Sequence, residues 1–239
     1  MELVSVFRVI DLLGVLCNAI IGGSIARTLK FDPVGFAVLA IMSALAGGML
    51  RDILLAAGPP VALIDPAYLI TALAGAAFVF VLHVEGRPWR WALAAMDAVC
   101  LGAWAATGTV KALGLGHGPL TAIMLGLITA VGGGMLRDIA IGRVPAIFGG
   151  NTLYATAALL ASLAVLATPA ELRPTVGMII ATVVGAAITL LARWRRWQLP
   201  QPPGLTVELT TDQVRSLVRR AQRDERRRLL RRRRPDARS

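Results

Sequence analysis

The chain carries little charge for its length. Charged residues make up 16% of its 239 positions, against about 25% in an ordinary soluble domain, while 56% are hydrophobic and the mean hydropathy is +0.68. That shortage excludes a water-facing surface over most of the molecule and makes a lipid bilayer the expected solvent. Cysteine and histidine are also scarce, at two each. Cys17 and Cys100 stand in apolar runs, not at metal-ligand or redox spacing, and read as buried packing residues. His83 and His117 are isolated near span ends and form no ligand pair. No catalytic triad, metal set or phosphate loop is visible, so the expectation is a protein that is not an enzyme and needs no cofactor. The first residues lack a basic stretch, and Asp11 interrupts their apolar run, so the first helix is expected to stay in the membrane rather than be cleaved as a signal peptide.

What is present is a series of apolar runs. A span needs about 17 to 25 mostly apolar residues, and seven stretches approach that length: 6–25, 34–57, 66–83, 91–113, 120–141, 151–168 and 176–191. Pro- and Gly-rich connections such as "AAGPPVALIDP" and "GLGHGP" separate them. The sixth and seventh are the shortest. Most of the +11 net charge lies from Arg193 onward, so the positive-inside rule puts the tail in the cytoplasm and, with seven crossings, the N-terminus outside. Trp89, Trp91, Trp194 and Trp197 fall at predicted cytoplasmic span ends, as interfacial anchors do; Trp104 is mid-span. The expected organisation is a membrane domain over 1–197 and a basic cytoplasmic tail over 198–239. Arginines surround a helical-period apolar stripe in that tail, which suits an anionic lipid surface; without a recognisable fold or interleaved aromatics, nucleic acid is not expected as a partner.

An internal repeat organises these spans. "GGMLRDI" occurs at 47–53 and again at 133–139, an offset of 86. The same shift aligns Asp11 with Asp97, Gly22 with Gly108, Pro33 with Pro119, Ser43 with Thr129 and Tyr68 with Tyr154. Repeat one covers about 5–86, repeat two about 91–172, and a seventh helix about 174–195 is left over. Three crossings per copy invert the second copy relative to the first, the plan of many transport proteins.

The repeated block joins weak helix formers to costly side chains. Glycine costs about 1 kcal/mol relative to alanine in a helix, so Gly47 and Gly48 in span two, and Gly132, Gly133 and Gly134 in span five, predict kinks that open backbone carbonyls toward a water-filled route. The alternative is that these glycines let two helices pack closely. Ser43, Gly47 and Arg51 share one helical stripe, as do Thr129, Gly133 and Arg137. An Arg or Asp at a span centre costs about 2.5 to 3.5 kcal/mol, so Arg51, Asp52, Arg137 and Asp138 need partners or water. Neighbours in sequence point about 100° apart on a helix, which argues against pairing within Arg51–Asp52 or Arg137–Asp138. Depth and symmetry predict Arg51 with Asp11 and Arg137 with Asp97. Three roles for the arginines stay open: neutralised by aspartate, a moving gate, or a carboxylate binder. Lys111 is placed at the outer end of span four, near the outer mouth.

The two blocks "ALAGGMLRDIL" and "AVGGGMLRDIA", the aspartates of spans one and four, and "AIFGGNTLYATAAL" after the second block resemble prokaryotic members of the TRIC family, the trimeric intracellular cation channels. The resemblance covers about residues 5 to 195. It implies a homotrimer with one pore per protomer, kinked at Gly47, Gly48, Gly132, Gly133 and Gly134 and passing potassium or sodium. It also implies that Arg51, Asp52, Arg137 and Asp138 line or gate that pore. Animal members have a lysine-bearing motif in these spans and bind a phosphoinositide; arginine stands here instead. The same domain family has also been labelled a glycine transporter, so a secondary transporter for a small zwitterion such as glycine is the alternative.

Overall fold

A computed structural model describes residues 2–82, 84–148 and 153–197, without the side chains of residues 2–7 and 146. His83 and the predicted tail over 198–239 lie outside the described residues. Among them, all regular secondary structure is helical. Seven helices carry the fold: α1 Glu2–Thr28, α2 Pro33–Leu55, α3 Pro66–Val81, α4 Arg87–Gly114, α5 Pro119–Ala140, α6 Tyr154–Ala167 and α7 Met178–Arg195. A four-residue helix, Val61–Ile64, leads into α3.

Local chemistry sets the helix starts. Asp32 accepts a hydrogen bond from the Gly35 N–H at 2.7 Å, and Asp65 from the Ala67 N–H at 3.0 Å. Each is followed by a proline at the first helical position, where the missing N–H is no loss. α5 starts the same way on Pro119, behind Gly118.

Among the described residues, five helical stretches are long and apolar enough to cross a membrane: Arg8–Thr28, Pro33–Leu55, Arg87–Gly114, Pro119–Ala140 and Ala170–Arg195. α3 and α6 are shorter, with 16 and 14 residues; at a rise of 1.5 Å per residue they reach about 24 and about 21 Å, against an apolar core of about 30 Å. The expectation for span seven is therefore corrected. Its helical run starts at Ala170, because a 3-10 turn, Ala170–Leu172, and a π turn, Arg173–Gly177, feed directly into α7. Pro174 sits in the first positions of that turn, where it begins a helix rather than breaking one.

α1, α2 and α3 pack on one another, and so do α4, α5 and α6. Contacts of α1 with α4 and of α2 with α5 join the two sets, and α7 lies against α4 and α6. Alanines with no exposed surface, among them Ala19, Ala40, Ala105, Ala161 and Ala181, fill the interior. Small residues let helix backbones approach when lipid supplies no hydrophobic drive between them.

Candidate functional site

The two predicted stripes face each other where α2 meets α5. A Cβ added at Gly47 would lie 2.4 Å from the Thr129 carbonyl oxygen, and one at Gly133 would lie 2.5 Å from that of Ser43. Ser43 and Thr129 are 0% and 1% exposed, and the Thr129 hydroxyl donates to the Leu125 carbonyl at 2.6 Å. This crossing is a closed waist. Gly132 joins it, its added Cβ falling 3.2 Å from the Gly47 Cα.

The glycines do not interrupt their helices in this structure, since α2 and α5 run unbroken through them. The expected exposure of backbone carbonyls is thus corrected in favour of close packing. The second glycine of each block does a different job. Added Cβ atoms at Gly48 and Gly134 would have as their nearest neighbours the Arg51 Nη2 at 3.7 Å and the Arg137 Nη2 at 3.6 Å. Each guanidinium folds back over the glycine three residues before it.

That folding corrects the expected charge pairs. Arg51 Nε donates to Asp52 Oδ1 at 2.8 Å, and Arg137 Nε and Nη2 donate to Asp138 Oδ1 at 3.0 and 2.9 Å. Adjacent Cβ atoms do point apart, but an arginine stem is long enough to carry its head round the helix, and the open space over the glycine gives it room. Asp52 gathers more donors: the Lys111 Nζ at 2.7 Å and the Val61 N–H at 3.0 Å. Arg137 also reaches across the waist to the Ser43 hydroxyl at 3.4 Å.

Asp11 and Asp97, expected to hold those arginines, instead accept from neutral donors. Tyr68 donates to Asp11 and Tyr154 to Asp97, each at 2.9 Å and each across 57 residues. Trp104 Nε1 gives Asp11 a second bond at 3.0 Å. Under the 86-residue shift Trp104 corresponds to Asn18, whose side chain bonds the Gly14 carbonyl instead, so among the described residues Asp97 has one donor where Asp11 has two. The tyrosines and Trp104 were missed in the sequence reading, although a signal was there. The chain's two tyrosines are spaced as its two mid-span aspartates are. Tyr154→Phe should therefore lower the melting temperature more than Tyr68→Phe, because leaving a buried acceptor unpaired costs about 1–3 kcal/mol and, among the described residues, Asp97 has no second donor to fall back on. Equal shifts in a detergent melt would contradict this.

These groups line two cavities at opposite ends of α1 and α4. The first, of about 690 Å³, is bounded by Arg8, Asp11, Arg51, Asp52, Asp65, Tyr68 and Lys111. The second, of about 260 Å³, is bounded by Arg90, Asp97, Arg137, Asp138, Tyr154 and Arg193. Cations and carboxylates balance in the first, whereas arginines outnumber aspartates in the second. At the first mouth Arg8 bonds Asp65 at 2.7 Å. The Arg8 guanidinium and the Ala67 N–H hold the Asp65 carboxyl below the usual carboxylate range. This strap is intact at neutral pH and weakens as pH falls through that lowered value.

Comparison with known proteins places this architecture. The family described as glycine transporter matches residues 8–84 and again 94–170. A solved structure reported as the structural basis for conductance through TRIC cation channels is 32% identical, with a TM-score of 0.74, covering 82% of this chain and 97% of that one. The chain belongs to the prokaryotic TRIC family. The TRIC orthologue from Rhodobacter sphaeroides is 33% identical, at a TM-score of 0.69 and coverage of 78% and 98%. Among curated relatives of this TRIC chain, the UPF0126 inner membrane protein YadS of Escherichia coli is 36% identical over 81% of this chain and 93% of its own. A UPF0126 membrane protein of Deinococcus radiodurans is 34% identical over 79% and 87%. The two family matches stand 86 residues apart, the offset of the sequence repeat.

Proposed function

We propose that the protein is a monovalent cation channel, with potassium the main ion, built as a homotrimer with one pore per protomer. The observation that carries this reading is the pair of cavities at opposite ends of the bundle, both bordered by α2 or α5 residues, with the hydroxyl-bearing α2/α5 waist between them. Similarity to TRIC cation channels over four-fifths of the chain supports it. The route runs through the first cavity, past Ser43, Gly47, Thr129 and Gly133, and into the second. Arg51 and Arg137 line it already neutralised by Asp52 and Asp138, so a cation passes them without meeting an unpaired guanidinium. The waist is shut in this state. Bending of α2 and α5 at their glycines, which cost little to distort, opens it.

The two copies are inverted repeats, which accounts for matching tyrosine–aspartate pairs at opposite ends. In the inner membrane the first cavity, with Lys111 at its mouth, faces outside along with the N-terminus. The second cavity faces the cytoplasm. Its surplus positive charge resists cation entry from that side. Arg193→Gln should therefore raise potassium current driven from the second cavity more than current driven from the first; a symmetric change would contradict this.

The deciding experiment is purified protein in liposomes under a potassium gradient. A reversal potential that follows potassium and ignores chloride is expected. A second reading, transport of a small zwitterion such as glycine, draws on Arg90, Arg193 and Asp97 lining one small cavity, where they could hold a carboxylate and an ammonium. Saturable glycine counterflow without conductance would establish it in place of the channel.

A further inference from the structure

We infer that Cys17 and Cys100 form a redox-responsive dithiol whose oxidation to a disulfide ties the two halves of the chain together and holds the waist shut. They are the chain's two cysteines, they stand on different helices, 83 positions apart in the sequence, and their thiols are close enough to interact across the contact of α1 with α4. The Cys100 Sγ also lies 3.9 Å from the Gly14 carbonyl oxygen, one turn before Cys17 on α1. Gly14 in turn lies beneath Trp104, one turn beyond Cys100 on α4: a Cβ there would come within 2.7 Å of Trp104 Nε1. Two successive turns of α1 and α4 are thus in register, which sets Cys17 and Cys100 at the same level of the helix contact. Cys100 is buried and Cys17 half-exposed. This is the arrangement of an attacked sulfur backed by a resolving one.

The chemistry balances with a hydroperoxide as oxidant; hydrogen peroxide is the simplest. The Cys17 sulfur attacks one peroxide oxygen and the O–O bond breaks, giving a sulfenic acid and water. The Cys100 sulfur then attacks the Cys17 sulfur, the S–S bond forms, the S–O bond breaks, and the departing hydroxyl takes the remaining thiol proton as a second water. Two thiols and one peroxide become one disulfide and two waters.

Position gives the bond its consequence. α1 and α4 are corresponding helices of the two copies; α2 packs on α1 and α5 on α4. Separation of α2 from α5 at Gly47 and Gly133 has to shift those two pairs relative to each other. A covalent tie between α1 and α4 opposes that shift. It also fixes Trp104, whose indole holds Asp11 in the first cavity. The effect on flux rests on the channel reading, whereas the disulfide itself does not.

The test uses full-length protein in phosphatidylethanolamine–phosphatidylglycerol liposomes, treated with hydrogen peroxide and then split for two measurements. Denatured samples are alkylated and weighed intact. The expected result is loss of both alkylatable thiols and of two hydrogens, with the chain still monomeric on a non-reducing gel. In parallel, potassium flux should fall severalfold, recover with a phosphine reductant, and stay unchanged by peroxide in Cys17→Ala and Cys100→Ala. Retention of both thiols, oxygen added at Cys17 without a crosslink, or a crosslink between protomers overturns the dithiol. A disulfide formed with unaltered flux overturns the lock. Should the reduced wild type carry no potassium current, the channel reading fails, and the mass measurement still decides the disulfide.

Discussion

Asp52→Asn is expected to destabilise the protein by about 3–5 kcal/mol, the range for leaving one partner of a buried ion pair uncompensated. Arg51 and Asp52 are 4% and 5% exposed, so water does little to screen the guanidinium once its carboxylate is gone. The loss is compounded because Asp52 also receives the Lys111 ammonium and the Val61 N–H. Lys111 suffers less, with its side chain 34% exposed and able to turn to solvent. Asp138→Asn should cost less than Asp52→Asn. Both side chains of the Arg137–Asp138 pair are 12% exposed, against 5% for those of Arg51 and Asp52, and Arg137 keeps its contact with Ser43. Removing both charges, as in Arg51→Met with Asp52→Leu, should cost less than the single change, since no buried guanidinium is left uncompensated and the part-exposed Lys111 turns to solvent. Thermal unfolding in detergent measures all three. A double variant less stable than Asp52→Asn, or equal losses at Asp52 and Asp138, would show that the pair is not organised as described. The same cycle run between Arg51 and Asp11 should give the smaller coupling, because Asp11 spends its oxygens on Tyr68 and Trp104.

Gly133→Ala and Gly134→Ala should move stability in opposite directions, although they are neighbours and both replace glycine in a helix. Alanine gains about 1 kcal/mol from helix propensity at either position. At Gly134 the new methyl meets only the mobile end of Arg137 at ordinary contact distance, so that gain survives. At Gly133 it meets the Ser43 carbonyl oxygen at 2.5 Å, and two backbones must part. Overpacking of that kind costs about 1–3 kcal/mol, enough to reverse the sign. In the channel reading a methyl wedged at Gly133 also holds α2 away from α5, so resting potassium permeability rises while that of Gly134→Ala stays at the wild-type level. Two equal shifts in melting temperature would remove the waist from the description and leave the glycines as interchangeable small residues.

Much of the site was legible because symmetry is written in residue types. The block at Gly47–Asp52 and its copy at Gly133–Asp138 mark the two helices that meet, and the stripe of Ser43 with Gly47 and of Thr129 with Gly133 gives the meeting faces. The pairing of Arg51 was not legible. Helix geometry gives the direction of a Cβ, but the head of an arginine sits several bonds beyond it, and which way the stem runs depends on which groove is empty. Gly48 empties one. Likewise the backbone at Gly133 follows helix or opens according to what lies against it, and propensity says nothing of Ser43 approaching from α2.

By itself the sequence determined that this is an all-helical chain for a bilayer, duplicated with an 86-residue offset, with polar and charged groups concentrated at equivalent places in each copy. Composition and periodicity are properties of the chain alone, and they survive any arrangement of the helices. Only the tertiary structure decided what those groups do to one another. It turned the arginines back on their own neighbours, gave the mid-span aspartates to tyrosine and tryptophan, made the first glycine of each block a helix contact, and brought two distant cysteines together. Each outcome turns on separations of a few ångströms between helices, where a side chain takes the nearest unfilled space and partner, and sequence spacing does not encode that distance.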